Sequence, residues 1–186
     1  MEILAWNCRG LNNDRCVQAL QTLIGQKKPS FIFLSETKRG AIGRGFFWED
    51  GLDVYFLSKS RYHVDVEALS GDSSLPWIVV GDFNEILHED EKEGGLARNP
   101  NQILRFQGAL DDAELFDLGF RGAPFTCKRG DVRCQLDRAV ATPSWLDVFP
   151  ASRVLHLPPI HGDHVPLLIG VFQEEPLQRQ WQFRFR

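Results

Sequence analysis

Short apolar runs bounded by turn residues recur from one end of the chain to the other. Their length and their Val, Ile, Phe and Trp content suit buried strands better than helices. Runs of this kind cover residues 3–6, 31–34, 54–57, 62–66, 77–80, 136–140, 153–157 and 166–171. Two stretches are spaced differently: Val17, Leu20 and Ile24 recur every three or four positions, as do Ile103, Phe106 and Leu110, and each set predicts an amphipathic helix. Asn99 and Pro100 supply a cap and a first-turn proline for the second of these. Strands outnumber helices and a helix does not follow every strand, so a layered α+β sandwich is favoured over a doubly wound parallel sheet.

The chain has 186 residues, 43% of them apolar, which fits one compact domain with a substantial core. Acidic residues number 25 against 21 basic ones, for a net charge of −4, so any contact with a polyanion must be local rather than driven by bulk positive charge. No apolar run approaches the roughly 18 residues of a membrane span, and residues 1–7 lack the basic-then-apolar plan of a signal peptide. The expectation is a soluble intracellular protein, nuclear or cytoplasmic, with no membrane partner. Cys8, Cys16, Cys127 and Cys134 form no Cys-x-x-Cys pair and are expected as reduced thiols. Charge is uneven: residues 85–93 carry five acids against Lys92, residues 27–44 five bases against Glu36, and residues 121–138 five bases against two acids. Each run is expected on a solvated loop or helix face.

Several strand-like runs end in groups that a strand core would not choose. Asn7 follows Leu4-Ala5-Trp6, Glu36 follows residues 31–35, Asp82 and Asn84 follow residues 77–81, and Asp163-His164 precede residues 165–168. Taken singly, a Gly-Asp-Phe-Asn turn is most simply turn chemistry and a terminal Glu a surface cap. Gathered on one rim, these carboxylates, amides and imidazole would suit a hard cation such as magnesium, which prefers oxygen ligands. That set matches phosphate-ester chemistry, in which the cation carries developing charge, a carboxylate orients water and an imidazole donates to the phosphate. Asp163 and His164 are adjacent and need separate partners, and Asp137 is a candidate partner for His164.

In order along the chain, Trp6-Asn7-Cys8-Arg9-Gly10-Leu11, Leu34-Ser35-Glu36-Thr37-Lys38, the run from Trp77 through Gly81-Asp82-Phe83-Asn84 to Leu87, Leu136-Asp137-Arg138 and Gly162-Asp163-His164-Val165-Pro166-Leu167 resemble the endonuclease/exonuclease/phosphatase superfamily. More narrowly, they resemble the endonuclease domain of plant LINE-type, non-LTR retrotransposons. The resemblance implies a four-layered α/β/β/α sandwich, two mixed sheets with outer helices, over residues 1–172. The resemblance assigns residues 173–186 to a basic C-terminal tail or linker remnant. It implies a DNA-nicking phosphodiester hydrolase that uses Mg2+, with Mn2+ as an alternative, and no small-molecule cofactor beyond the metal. Glu36 would be the principal metal ligand, with Asn7 and Asp163 completing the metal and phosphate pocket. Asp82 would align or deprotonate the water, Asn84 would hold the phosphate, and His164, oriented by Asp137, would bond a non-bridging oxygen. Lys38, Arg39, Lys128, Arg129 and Arg133 would lie near the DNA backbone.

The chain departs from that pattern in places. The stretches from Glu36 to Trp48 and from Glu67 to Trp77 are shorter than in relatives, so a strand and a helix are expected to be missing. The second missing stretch would carry an active-site tyrosine, and neither Tyr55 nor Tyr62 has a matching context. Gly162 stands where a serine is usual and Cys127 where a tryptophan is common. Two other readings therefore stand beside the nuclease: an inactive, degenerate retroelement fragment, and a phosphomonoesterase of the same superfamily.

Overall fold

The computed structural model describes residues 1–8, 14–36, 53–57 and 76–172. The strands are β1 (Glu2–Asn7), β2 (Phe31–Ser35), β3 (Asp53–Leu57), β4 (Trp77–Asp82), β5 (Lys92–Glu93), β6 (Phe116–Asp117), β7 (Cys127–Arg129), β8 (Val132–Cys134), β9 (Asp137–Ala141), β10 (Arg153–His156) and β11 (Leu167–Gly170). The helices are α1 (Asp14–Lys27), α2 (Pro100–Asp112) and α3 (Pro143–Val148), with a 3-10 turn at Glu89–Glu91. The fold is α+β, with more strand than helix.

One sheet has the order β10-β11-β1-β2, a second β3-β4-β9-β6, and a small third sheet β5-β8-β7. Alternation along the strands explains why their runs are apolar on both faces. From β1, Ile3 and Ala5 join Ile78, Val80, Ala139 and Ala141 in a core shared by the two larger sheets, whereas Leu4 packs with Leu20, Leu23 and Ile24 of α1. From β4 and β9, Trp77, Val79 and Val140 turn the other way, toward Phe106 and Leu110 of α2. A strand covered on both sides reads as a continuous hydrophobic run rather than an alternating one.

The expected helices are both present. Asn99 caps α2 by accepting from the Asn101 backbone N–H at 3.0 Å, and Pro100 occupies the first turn. The short α3, capped by Thr142 and anchored by the fully buried Trp145, has too few residues to show a period in the sequence. The run at 62–66 and the tail at 173–186 lie outside the described residues.

One expectation needs correction. The acidic and basic runs are not wholly solvated: Arg138 is 1% exposed and is held by Glu91, with Nη2 to Oε2 at 2.7 Å, and by Asp117, with Nη1 to Oδ2 at 2.6 Å. A guanidinium out of water requires such carboxylates, so these charges belong to the interior. All four cysteines are free thiols, as the spacing implied, but Cys8, Cys16 and Cys127 are buried. Among the described residues, no helix is long and apolar enough to cross a membrane.

Strand direction fixes where the site falls. β1 and β2 are parallel, with Asn7 in register with Ser35, so Glu36 emerges beside Asn7. β4 and β9 are antiparallel and place Asp82 directly opposite Asp137. β11 is antiparallel to β1, with Leu167 opposite Ala5, so the loop leading into β11 arrives at the same end.

Candidate active site

At that end the two large sheets meet through side chains. Asn7 Nδ2 donates to Asp82 Oδ2 at 3.1 Å across the sandwich. The second Asp82 oxygen, Oδ1, accepts the Asn84 backbone N–H at 2.8 Å, while Asn84 Nδ2 reaches the Asp82 carbonyl at 3.4 Å. His164 Nδ1 lies 2.7 Å from Asp137 Oδ2, and its Nε2 lies 3.8 Å from Asp82 Oδ2. Asn7, Asp82, Asp137 and His164 are all buried. A small cleft beside them is lined by Trp6, Asn7, Ser35, Asp82 and Asp137.

Two of the predicted residues hold unusual backbone conformations. Glu36 and Asn84 have φ of +53° and +57°, in the left-handed region that non-glycine residues seldom enter. Such conformations persist where the surroundings over-determine them and concentrate at functional sites. Gly162, at φ +80°, needs the same freedom in the turn before His164, which gives a local reason for glycine at this position.

The electrostatics follow from the burial. Asp82 is raised to about 6, first by loss of solvent and then by the Asp137 carboxylate facing it across the strand pair; His164 and the hydrogen bonds from Asn84 and Asn7 pull the other way. For His164, burial alone would favour the neutral ring, but the hydrogen bond that its Nδ1–H donates to Asp137, with further help from Cys127, outweighs it and the imidazole is pushed up to about 11. At neutral pH the pair therefore presents an ionised Asp82 beside an imidazolium, both of whose ring nitrogens are donors.

The other predicted residues are placed as follows. Asp163 Oδ2 accepts from Arg129 Nε at 2.7 Å, and a carboxylate oxygen of Asp163 stays within 4.8 Å of ligand atoms of Cys127 and His164. Arg133 pairs with Glu93 and lies over the Phe125 ring. Lys128 is exposed on the same hairpin, and Lys38 and Arg39 lie outside the described residues. Asp82, Asp137 and His164 form one group of close ligand atoms and Cys127, Asp163 and His164 another; Glu36, partly buried, belongs to neither. The oxygen donors of Asn7, Glu36 and Asp82 nevertheless fit a hard divalent cation by type. Nε2 of His164, buried without a hydrogen-bond partner, is free to serve a ligand at the same place.

Sequence reasoning missed the residues that hold this constellation. Thr126 Oγ1 accepts the backbone N–H groups of Leu136 and Asp137, each at 2.9 Å, and the Thr126 carbonyl accepts from Val165 N–H at 2.8 Å. One fully buried threonine thus ties the segment carrying Asp137 to the segment carrying His164. Trp6 Nε1 donates to the His164 carbonyl at 3.1 Å. A buried tryptophan needs a partner for its N–H, and that was the available signal for Trp6; Thr126 left none, because a lone threonine beside an apolar run reads as a strand residue.

The model of the endonuclease/exonuclease/phosphatase family matches residues 4–159. No curated protein matches the sequence. The fold is similar to that of a 3'-5' exonuclease from Neisseria meningitidis, with TM-score 0.64 and 16% identity, covering 92% of this chain and 100% of the other. It is similar to the endonuclease domain of TRAS1, a telomere-specific non-LTR retrotransposon, with TM-score 0.62 and 11% identity over 92% and 98%. A Neisseria 3' phosphatase bound to a product DNA hairpin is similar at TM-score 0.61 and 17% identity over 92% and 99%. With a family match spanning most of its length, this chain belongs to the endonuclease/exonuclease/phosphatase family.

Proposed function

We propose that the protein is a divalent-metal-dependent phosphodiester hydrolase that nicks DNA and derives from a non-LTR retrotransposon of the plant LINE type, in a shortened form. The observation that carries the reading is the buried set of Asn7, Asp82 and Asp137, which meet across two sheets and line one cleft, with His164 hydrogen-bonded to Asp137. A fixed imidazolium in a site shielded from water is worth far more to a developing phosphorane charge than the same group in solution. The raised His164 favours donation to a non-bridging oxygen over service as a base. Asp82, ionised above about pH 6, is the group able to orient or deprotonate the attacking water, and Asn84 beside it holds the phosphate. Glu36 and Asn7, with Asp163, would hold Mg2+ or Mn2+, which when bound supplies Lewis-acid polarisation of the phosphoryl group.

DNA as substrate is supported by the similar structures, one of them bound to a product DNA hairpin and another taken from a retrotransposon. Arg129 and Arg133 already meet carboxylates, so phosphate contacts on this hairpin rest chiefly on Lys128. Affinity for DNA should therefore fall with salt along a shallow slope. The test is nicking of supercoiled plasmid with Mg2+, with chelator, and with Glu36→Ala. Loss of nicking in the latter two supports the reading, and nicking that survives Glu36→Ala overturns the site. Wild-type protein that is folded but inert would identify a degenerate copy. The 3' phosphatase among the similar structures favours one alternative, phosphomonoester hydrolysis, which release of inorganic phosphate from a 3'-phosphorylated oligonucleotide distinguishes from strand nicking.

A further inference from the structure

We infer that Cys127 and Cys134 form a redox modification site, a thiol pair that peroxide closes into a cross-strand disulfide behind the His164 site. The two residues face each other in register across the β7–β8 hairpin. Directly opposed residues of an antiparallel pair project to the same face with Cα atoms about 4.5–5.5 Å apart, inside the roughly 4.4–6.8 Å that disulfides span. Both thiols are free; Cys127 is buried and Cys134 is partly exposed, so an oxidant reaches Cys134 first. Cys134 Sγ attacks one oxygen of hydrogen peroxide, the O–O bond breaks, and water leaves behind a sulfenic acid. Cys127 Sγ then attacks that sulfur; the S–S bond forms as the S–O bond breaks, and the departing hydroxide takes up the thiol proton as a second water. Two thiols and one peroxide thus give one disulfide and two waters. Because burial raises the Cys134 thiol, the first attack is slow.

The position of Cys127 couples this chemistry to the site. It lies between Thr126, whose hydroxyl holds the Asp137 segment, and Lys128, whose backbone N–H donates to the Asp163 carbonyl at 2.7 Å. Cys127 also forms an isolated bridge with His164, and ligand atoms of Cys127, Asp163 and His164 lie within 4.8 Å of one another. A disulfide draws opposed Cβ atoms to about 3.8 Å from the roughly 4.5–5.5 Å of an ordinary cross-strand pair. That pinch, on the order of 1 Å, falls on the neighbour of Thr126, the residue that braces both Asp137 and His164, and a displacement of that size is enough to lower a rate strongly.

The test treats the full chain with hydrogen peroxide over an extended incubation, alkylates the remaining thiols, maps the peptides by mass spectrometry, and measures plasmid nicking before and after. The expected result is a 127–134 link, a fall in nicking of about tenfold or more, and recovery with dithiothreitol. Cys134→Ser should match untreated wild type and keep its activity through the same treatment. Two thiols that alkylate fully after peroxide, or a Cys134→Ser variant that loses activity to the same extent, would overturn the inference. The activity arm rests on the nuclease reading and the mass arm does not, so a chain that never nicks DNA but forms the link refutes only the former.

Discussion

The two buried histidines at the ends of the first sheet begin alike and finish apart. His156 closes β10 and His164 leads into β11; each has its Nδ1 held at 2.7 Å, and each has a buried Nε2 with no hydrogen-bond partner. His156 faces the carbonyl of Ala123, stacks on Phe120 with centroids 4.2 Å apart, and is lowered by burial, which the carbonyl only partly offsets. His164 faces the carboxylate of Asp137 and is pushed up to about 11 against the same burial. A carbonyl fixes the tautomer of a ring, whereas a carboxylate also holds its charge. The neighbourhood of His156 is a packing solution: Gly122 passes so close that a Cβ there would meet the His156 carbonyl oxygen at 2.6 Å. The neighbourhood of His164 is a concentration of charge that packing alone would not select.

The sharpest way to separate the two is to remove His164. His164→Gln should lower kcat for nicking by about a hundredfold to a thousandfold with little change in KM, because the donor acts chiefly in the transition state. Next in size, Thr126→Val should destabilise the fold by roughly 2–4 kcal/mol in denaturant titrations, since it leaves one buried and one partly buried N–H group without an acceptor. It should also lower kcat, as the Asp137 and His164 segments lose their common tie.

Asp82→Asn should move stability and activity in opposite directions. The folded-state pKa of Asp82 is raised, so the stability linked to its protonation is present below about pH 4 and lost as pH rises through about 6. Removing the charge should therefore stabilise the protein at pH 7 by on the order of 1–2 kcal/mol, read as a rise in Tm, while abolishing the water-activating carboxylate. Equal Tm values for the two proteins at neutral pH would argue that neither burial nor the facing Asp137 penalises the Asp82 charge. The smallest effect belongs to His156→Phe, which keeps the stack on Phe120 and loses one hydrogen bond; about 1 kcal/mol of stability should go and the nicking rate should hold.

Much of this arrangement was legible in the sequence, for reasons that differ by region. The runs at 3–6, 31–34 and 77–80 announced strands because both faces of the strands they form are covered, and Asn7, Glu36 and Asp82 stood out as polar groups closing such runs. The expectation that Asp163 and His164 need separate partners holds, Arg129 for one and Asp137 for the other. The two- and three-residue strands β5 to β8 gave no usable period, so the third sheet and the opposition of Cys127 to Cys134 were invisible. Arg138 was hidden for another reason: its partners Glu91 and Asp117 lie 47 and 21 positions away, and only the fold turns a surface-like charge run into a buried network.

The measurement closest to the centre of this account is the charge of His164 in the folded protein, read from ring nitrogen shifts in a long-range 1H–15N spectrum between about pH 5 and pH 10. Its raised pKa means that the stability it lends is complete below about pH 6.5 and lost as pH climbs toward about 11, so the ring should stay doubly protonated across most of that range, while His156 stays neutral at and above pH 7. A His164 ring that gives up its proton near pH 6.5, as a solvent-exposed histidine does, would contradict the claim that Asp137 makes it a buried cation poised for phosphate.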